Sequence, residues 1–186
     1  MSEPTSAIVV RIRLPPPLEA VRRRFDHSAA LKVPAHVTLL YPWLPAEALT
    51  RAARRTLAAI VRETRAFDVR FAATRRWPGI LYLEPDPAWR FSALIEKVAA
   101  GFPAYPPYGG TISEVIPHLT LVENAKAALD PIEKAASTHL PFERTVRSIE
   151  VLVEGPDGRW QTRWRLPLTA GSPAKRSRTR RATVKR

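Results

Sequence analysis

Apolar residues recur in two kinds of pattern along the first half of the chain. Residues 7–14 (AIVVRIRL) are rich in β-branched side chains and partly alternate, which predicts a strand that ends at prolines 15–17. A short helix follows in LEAVRRRFD, and AHVTLLYPW at 35–43 predicts a second strand. Over 46–64 the apolar residues return at helical spacing between Arg and Glu, which predicts an amphipathic helix.

The pattern continues with a strand hairpin and another helix. Residues 67–77 (FDVRFAATRRW) alternate in their first part and are expected to pair with ILYLEP at 80–85 around a Pro-Gly turn. The segment 87–102 (PAWRFSALIEKVAAGF) predicts a second amphipathic helix, with Trp89 toward the core and Gly101 at its end.

The second half repeats this order. VIPHLTLVEN at 115–124 predicts a strand, residues 127–140 predict a helix, and TVRSIEVLVEG with WQTRWRLPL predicts a closing hairpin around PDG. Each half therefore holds a strand with His and Thr, a helix and a hairpin, in a weak duplication of about 80 residues. This order predicts an α+β protein of two lobes, each a small antiparallel sheet with helices on its outer face.

The two His-Thr strands share one four-residue frame, His-apolar-Thr-apolar, in HVTL at 36–39 and HLTL at 118–121. The chain has only four histidines, so two such frames at matching places are improbable by composition alone. Residues two apart on a strand point to the same face, which puts each His beside its Thr and both apolar residues beneath. If the lobes pack about a pseudo-dyad, the two polar faces meet across a cleft.

Two imidazoles and two hydroxyls in one cleft suit phosphodiester transfer. One imidazole can deprotonate the nucleophile and the other can protonate the leaving oxygen, because an imidazole titrates near pH 6.5 and both forms coexist near neutral pH. Threonine hydroxyls can donate to the non-bridging oxygens, where negative charge builds. The scheme needs the two imidazoles within about 8 Å of each other, so that both reach one phosphate. It needs no metal or cofactor, and no metal-binding motif is present.

Charge changes this picture mostly at one end of the chain. Lys and Arg number 30 against 17 Asp and Glu, a net charge of +13. Residues 172–186 hold seven of the basic residues and no acid, which predicts a disordered tail that either contacts nucleic acid or has no partner. Cysteine is absent, no apolar run approaches a membrane span, and the N-terminus lacks a signal pattern, so we expect a soluble, cytoplasmic, monomeric protein with no membrane contact.

The paired motifs resemble those of the 2H phosphoesterase superfamily, within its 2'-5' RNA ligase-like branch. HVTLLYPW and PYGGTISEVIPHLTLVEN carry the resemblance, which covers roughly residues 7–168. It implies a bilobal, pseudo-symmetric α+β fold in which two antiparallel sheets face a central cleft. It also implies metal-independent opening of 2',3'-cyclic phosphates on nucleotides or RNA ends, and in some members the joining of 2'-5' RNA ends. We therefore expect one domain over 1–168 and a basic tail over 169–186.

The resemblance also implies roles for the motif residues. His36 and His118 would be the catalytic acid–base pair. The resemblance favours His118 as the base and His36 as the acid in hydrolysis. Thr38 and Thr120 would bind the substrate phosphate. The sequence differs from the family pattern at Glu123, shortly after the second motif, where RNA-ligase-like members often carry a basic residue. An acid there argues against an unmodified RNA-end pocket.

Several further residues have a functional and a structural interpretation. Tyr41 and Tyr108 flank the expected cleft and are candidates for stacking on a base. His27 and His139 lack the frame and are interpreted as structural. The remaining aromatic and basic candidates are expected to have no functional role. The tryptophans at 77 and 89 are expected in the core, and the arginines at 75 and 76 on a solvated edge.

The sequence thus predicts a phosphodiesterase that hydrolyses a 2',3'-cyclic phosphate or a 2'-5' linked nucleotide or RNA end by two-histidine catalysis. Two alternatives stay open. A non-catalytic RNA-binding module would show salt-sensitive binding without turnover. The same chemistry on a non-RNA cyclic phosphate metabolite is the other alternative, and Glu123 favours it.

Overall fold

The structure is a computed structural model that describes residues 5–112, 114–124 and 126–170. The tail segment 172–186 lies outside the described residues. The strands are β1 Ser6–Arg11, β2 His36–Leu40, β3 Phe67–Trp77, β4 Ile80–Asp86, β5 Leu119–Glu123, β6 Phe142–Val146, β7 Ser148–Glu154 and β8 Trp160–Pro167. The α-helices are α1 Pro16–Phe25, α2 His27–Ala30, α3 Arg51–Arg62, α4 Trp89–Gly101 and α5 Leu129–Ser137, with short 3-10 turns at Ala46–Ala48 and Pro107–Gly110.

Two four-stranded antiparallel sheets form the protein, in the orders β2-β1-β7-β8 and β5-β4-β3-β6. The expected α+β class with two antiparallel sheets is confirmed. The sheets are not the two halves of the sequence, however. The hairpin β3–β4 that follows the first motif pairs with the second motif strand, and the hairpin β7–β8 joins the sheet of the first motif. The halves therefore interleave, because β1 pairs with β7 and β3 pairs with β6.

A matched irregularity marks both motif strands. The register along β1 and β2 shifts between the pairs Ile8–Leu40 and Val9–Thr38, which leaves Leu39 as an extra residue. The register along β4 and β5 shifts in the same way and leaves Leu121 extra. A bulge of one residue breaks the alternation of faces. This explains why two consecutive residues after each threonine are buried, where simple alternation would expose one of them.

One hydrophobic core holds the sheets and helices together. Apolar residues of both sheets belong to a single buried cluster, which is why the two sheets cannot separate as independent units. Helix α1 packs beside β5, and α4 packs beside β2 and α3. The last turn of α4 lies against α3 so closely that a Cβ on Gly101 would stand 2.2 Å from Ile60 Cδ1. The motif strands are thereby held at facing sheet edges.

Some side chains lie elsewhere than predicted. Trp89 was expected in the core but is 60% exposed, at the first turn of α4, with the Arg90 guanidinium 4.3 Å from its ring. Arg76 was expected on a solvated edge, and it forms ion pairs with Asp130 and Glu133 of α5. Among the described residues, no helix is long and apolar enough to cross a membrane.

The chain remains packed slightly beyond the expected domain end. Leu168 is buried, and the Thr169 carbonyl accepts from Ala66 N–H at 2.8 Å. Thr169 N–H in turn donates to the Thr64 carbonyl at 3.0 Å. Thr169, the first residue of the predicted tail, is thus hydrogen-bonded to the segment between α3 and β3.

The interleaved topology predicts that the N-terminal half cannot fold alone. A fragment of residues 1–112 contains only β1 and β2 of one sheet and β3 and β4 of the other, and isolated two-stranded hairpins are marginally stable. We expect no cooperative urea transition by circular dichroism for this fragment. Mixing it with the fragment 113–186 should restore a transition. Cooperative unfolding of the 1–112 fragment by itself would contradict the topology.

Candidate active site

The two motifs line one cleft of about 730 Å³ between the sheet edges. Residues of β2 and β5 approach to within 8 Å between Cα atoms, so the two motif strands face each other. His36 and Thr38 are partly exposed to this cleft, and Val37 between them is fully buried. His118, directly before β5, and Thr120 on β5 reach the same cleft, with Leu119 buried beneath. The structure therefore brings together the four side chains that the motifs predicted.

Each imidazole is anchored by the same short contact. His36 Nδ1 lies 2.7 Å from the carbonyl oxygen of Pro34, and His118 Nδ1 lies 2.8 Å from the carbonyl oxygen of Ile116. A carbonyl oxygen only accepts, so Nδ1 carries the proton in both rings. The Nε2 atom is then the basic nitrogen of the neutral ring, and it becomes the donor once the ring is protonated. Both motifs thus have the same tautomer.

A chain of hydroxyls runs from Tyr108 to His36. Thr38 Oγ1 lies 3.1 Å from His36 Nε2 and can donate to it in the neutral ring. The Tyr108 phenol is within hydrogen-bonding reach of Thr38, and burial raises the pKa of Tyr108, so the phenol keeps its proton to donate. Of the two tyrosines predicted near the substrate, Tyr108 therefore lies close to the threonine of the first motif, and the ring of Tyr41 lies against Trp160.

Tyr108 is held in place by its backbone. It has φ of 52°, a left-handed conformation that costs a non-glycine residue about 1–3 kcal/mol. Its N–H donates to the carbonyl of Tyr41 at 2.7 Å, which docks the loop onto the end of β2. Tyr41 also lines the cleft, where its ring meets the ring of Trp160 edge to face at 6.0 Å.

Aromatic rings enclose the second histidine. Trp77 meets the His118 ring at 4.8 Å and Tyr82 meets it at 5.5 Å, both nearly edge to face. Trp77 was expected in the core; instead it lines the cleft, because its place at the end of β3, just before the turn Pro78–Gly79, brings its ring against His118. These rings fix the plane of His118, as Thr38 and the Pro34 carbonyl fix that of His36.

A buried ion pair beside His36 was not predicted. Arg22 lies on α1, and Asp26, four residues later, is the C-cap of that helix; Nε and Oδ2 are 2.9 Å apart and both side chains are 2% exposed. Arg22 also donates to the Val33 carbonyl and to Ser28 Oγ, at 2.9 and 2.8 Å. One signal in the sequence could have revealed it, since Arg22 is four residues after Leu18 on the buried face of α1. A charged residue on such a face needs a partner, and Glu19 and Asp26 are the two acids at helical spacing from Arg22.

The environment lowers the pKa of both imidazoles. Burial is the main cause of lowering the pKa of His36 to about 4, and the positive charge of Arg22 adds to it. Burial also lowers the pKa of His118, which the Ile116 carbonyl and the Glu123 carboxylate partly offset. In the free protein the cleft therefore disfavours the imidazolium that the two-histidine scheme requires. An anion bound between the rings would reverse this effect.

The arrangement offers two Nε2 atoms, two threonine hydroxyls and a phenol to one ligand. Within the described ranges, no group of three His, Cys, Asp or Glu side chains could hold a metal ion. His27 and His139 are exposed and do not line the cleft. Arg75 pairs with Glu84 at 3.1 Å.

Two relatives and several solved structures resemble this chain. A Geobacillus thermodenitrificans protein named "Putative phosphoesterase" is 26% identical over 145 residues, which cover 75% of this chain and 80% of that protein. A Geobacillus kaustophilus protein, also named a putative phosphoesterase, is 26% identical over 144 residues, with the same coverage of both chains.

The structural similarity extends over most of the chain. The protein TT0787 of Thermus thermophilus superposes with a TM-score of 0.59 at 18% identity, covering 90% of this chain and all of that one. E. coli LigT in its apo form has a TM-score of 0.55 at 18% identity, covering 90% of this chain and 99% of LigT. LigT has also been solved with 3'-AMP, with NADP+ and with ATP. At these identities the similarity establishes the fold.

The family itself follows from a match that includes both motif strands. The family model of the 2'-5' RNA ligase superfamily matches residues 10–158, most of the chain and both faces of the cleft. This protein therefore belongs to the 2'-5' RNA ligase superfamily, as the paired His-Thr motifs indicated.

Proposed function

We propose that the protein is a metal-independent phosphodiesterase that hydrolyses a 2',3'-cyclic phosphate or a 2'-5' linked nucleotide. The observation that carries this proposal is the matched anchoring of His36 and His118, which presents two equivalent Nε2 atoms to one cleft. Two relatives carry the name phosphoesterase, and E. coli LigT has been solved with 3'-AMP and with NADP+, so a nucleotide is the natural substrate class to test.

In the proposed step, His118 Nε2 takes a proton from water, and the oxygen of that water attacks phosphorus. The bond between phosphorus and one ribose oxygen breaks, and His36 Nε2–H protonates that oxygen. One water is consumed, and a phosphomonoester and a free hydroxyl are formed. The roles exchange in the reverse direction. Thr38 and Thr120 would donate to the non-bridging oxygens, and Tyr108, which lies close to Thr38, would help to orient it.

Substrate binding would raise the pKa of the imidazole that acts as the acid, which is lowered in the free protein. A phosphodiester carries one negative charge, and an opposite charge within a few ångströms raises the pKa of an imidazole. The acid would therefore gain its proton as the substrate binds, and the base would stay neutral. We expect the enzyme to act in the cytoplasm as a monomer, as the sequence indicates. A non-catalytic RNA-binding role is the weaker alternative, because binding alone has no need of two identically anchored imidazoles.

Substitution of either histidine tests the proposal. Adenosine 2',3'-cyclic phosphate should be turned over in the presence of EDTA, and His36→Ala and His118→Ala should each lower kcat by about 10²–10⁴-fold. His139→Ala is the matched control, because His139 is exposed and lies outside the cleft. Turnover by either active-site variant within a few-fold of the native rate would contradict the mechanism, provided circular dichroism shows folded protein.

The lowered pKa values predict an acidic profile for kcat/KM. Catalysis needs one protonated and one neutral ring, and the pKa values of both rings lie below 6.5 in the free protein. The singly protonated form then decreases about tenfold per pH unit above 6.5, and kcat/KM should follow it. The profile of kcat should lie at higher pH, because the bound phosphate stabilises the imidazolium.

One result of the pH measurement would contradict the mechanism. A flat or rising kcat/KM between pH 6.5 and 8.5 would show that no imidazolium is required. The folded protein alone should also lose stability in urea as the pH falls from 6.5 toward 4, because His36 binds its proton less readily when folded than when unfolded. His36→Asn should be less sensitive to pH over the same window.

A further inference from the structure

The charged residues of the cleft are unlike those of the whole chain. The described residues that line it include four charged side chains, Arg22, Asp26, Glu114 and Glu123. Arg22 and Asp26 neutralise each other in their buried ion pair. In the part of the chain that the structure describes, neither Glu114 nor Glu123 has a Lys or Arg nitrogen within 4.0 Å. With both histidines neutral, the lining therefore has an excess of two negative charges in a protein of net charge +13.

Apolar side chains form most of the remaining wall. On the side of the β2-β1-β7-β8 sheet they are Ala7, Val9, Leu31, Val33, Leu152 and Trp160. The facing side carries Trp77 and Ile80 from the β3–β4 hairpin, together with residues of the segment before His118. Such walls suit an aromatic or otherwise apolar group, which gains from leaving water without needing a charged partner.

We propose that the cleft selects substrates whose only negative charge is the reacting phosphodiester, with Glu114 and Glu123 rejecting any substrate that carries a further phosphate. The ligand class is a nucleoside cyclic phosphate, or a similar diester with an aromatic group, that has no terminal phosphate. This inference rests on the proposed function, because it takes the two histidines as the place where the diester reacts.

The negative charge of the reacting phosphate is offset by hydrogen-bond donors and a protonated imidazole, which a second phosphate would lack. The hydroxyls of Thr38 and Thr120 and one protonated imidazole would act on the first phosphate, with Tyr108 beside Thr38. A second phosphate in the same cleft would meet apolar walls and two carboxylates of like sign. Hydrolysis itself turns a singly charged diester into a monoester that carries about two negative charges. The same carboxylates therefore repel the product more than the substrate and favour its release.

A basic hollow beside the cleft could instead bind a second phosphate of the substrate. It measures about 300 Å³, and its lining includes Arg11, Arg23 and Lys32. Arg22, Val33, Leu152 and Trp160 are shared by the hollow and the cleft. If a second phosphate of the substrate reached this hollow, the protein would prefer the more highly charged ligand.

The kinetic arm compares adenosine 2',3'-cyclic phosphate with its 5'-phosphorylated form at one pH and ionic strength. We expect kcat/KM to be about tenfold lower for the 5'-phosphorylated substrate. The double variant Glu114→Gln, Glu123→Gln should bring the two values close together. Glu96→Gln on the exposed face of α4 is the matched control and should leave their ratio unchanged. Because each ratio is taken at one pH, an effect of Glu123 on His118 influences both substrates alike.

A binding arm does not depend on turnover. Calorimetry of the native protein should give a weaker affinity for adenosine 3',5'-bisphosphate than for adenosine 3'-monophosphate. The difference should shrink in high salt and in the double variant. Equal or tighter binding of the bisphosphate, or a difference that the double variant retains, overturns the inference. Absence of turnover for both cyclic substrates, with the affinity difference intact, would instead count against the proposed function and leave the charge selection standing.

Discussion

The structure of the site depends on one short contact that occurs twice, the hydrogen bond from a histidine Nδ1–H to the carbonyl two residues earlier. In each motif this bond is 2.7–2.8 Å long and fixes both the tautomer and the direction of Nε2. The rest of the fold brings these two anchored rings to one place. The matched bulges at Leu39 and Leu121 bury the residues after each threonine, and the common core fixes the facing sheet edges.

The cleft makes its histidines poor acids and bases until a ligand arrives. Burial and Arg22 lower the pKa of His36 to about 4, and burial lowers the pKa of His118 as well. An anion between the two rings supplies the missing compensation, so binding and activation become the same event. The two carboxylates at the cleft limit how much negative charge can enter with that anion. A strongly basic chain can thus have a site that discriminates against polyanions.

Local patterns in the sequence were enough to predict much of this molecule. Alternation and helical spacing located most strands and helices, and the His-Thr frames identified the faces that line the cleft. What escaped prediction depends on contacts between residues far apart in the chain. The choice of partner for β1 and β3 decides that the halves interleave, and no local pattern encodes it. The same holds for Trp77, which a turn leaves beside His118, and for the lowered pKa values, which arise from burial by several elements.

In the proposed reaction both imidazoles act on one phosphate through Nε2. The most direct measurement follows the ¹⁵N signals of His36 and His118 while adenosine 3'-monophosphate is added to the labelled protein. Both Nε2 signals are expected to shift with one dissociation constant, and both Nδ1 atoms are expected to stay protonated. A response from only one ring, or two different dissociation constants, would contradict this reaction.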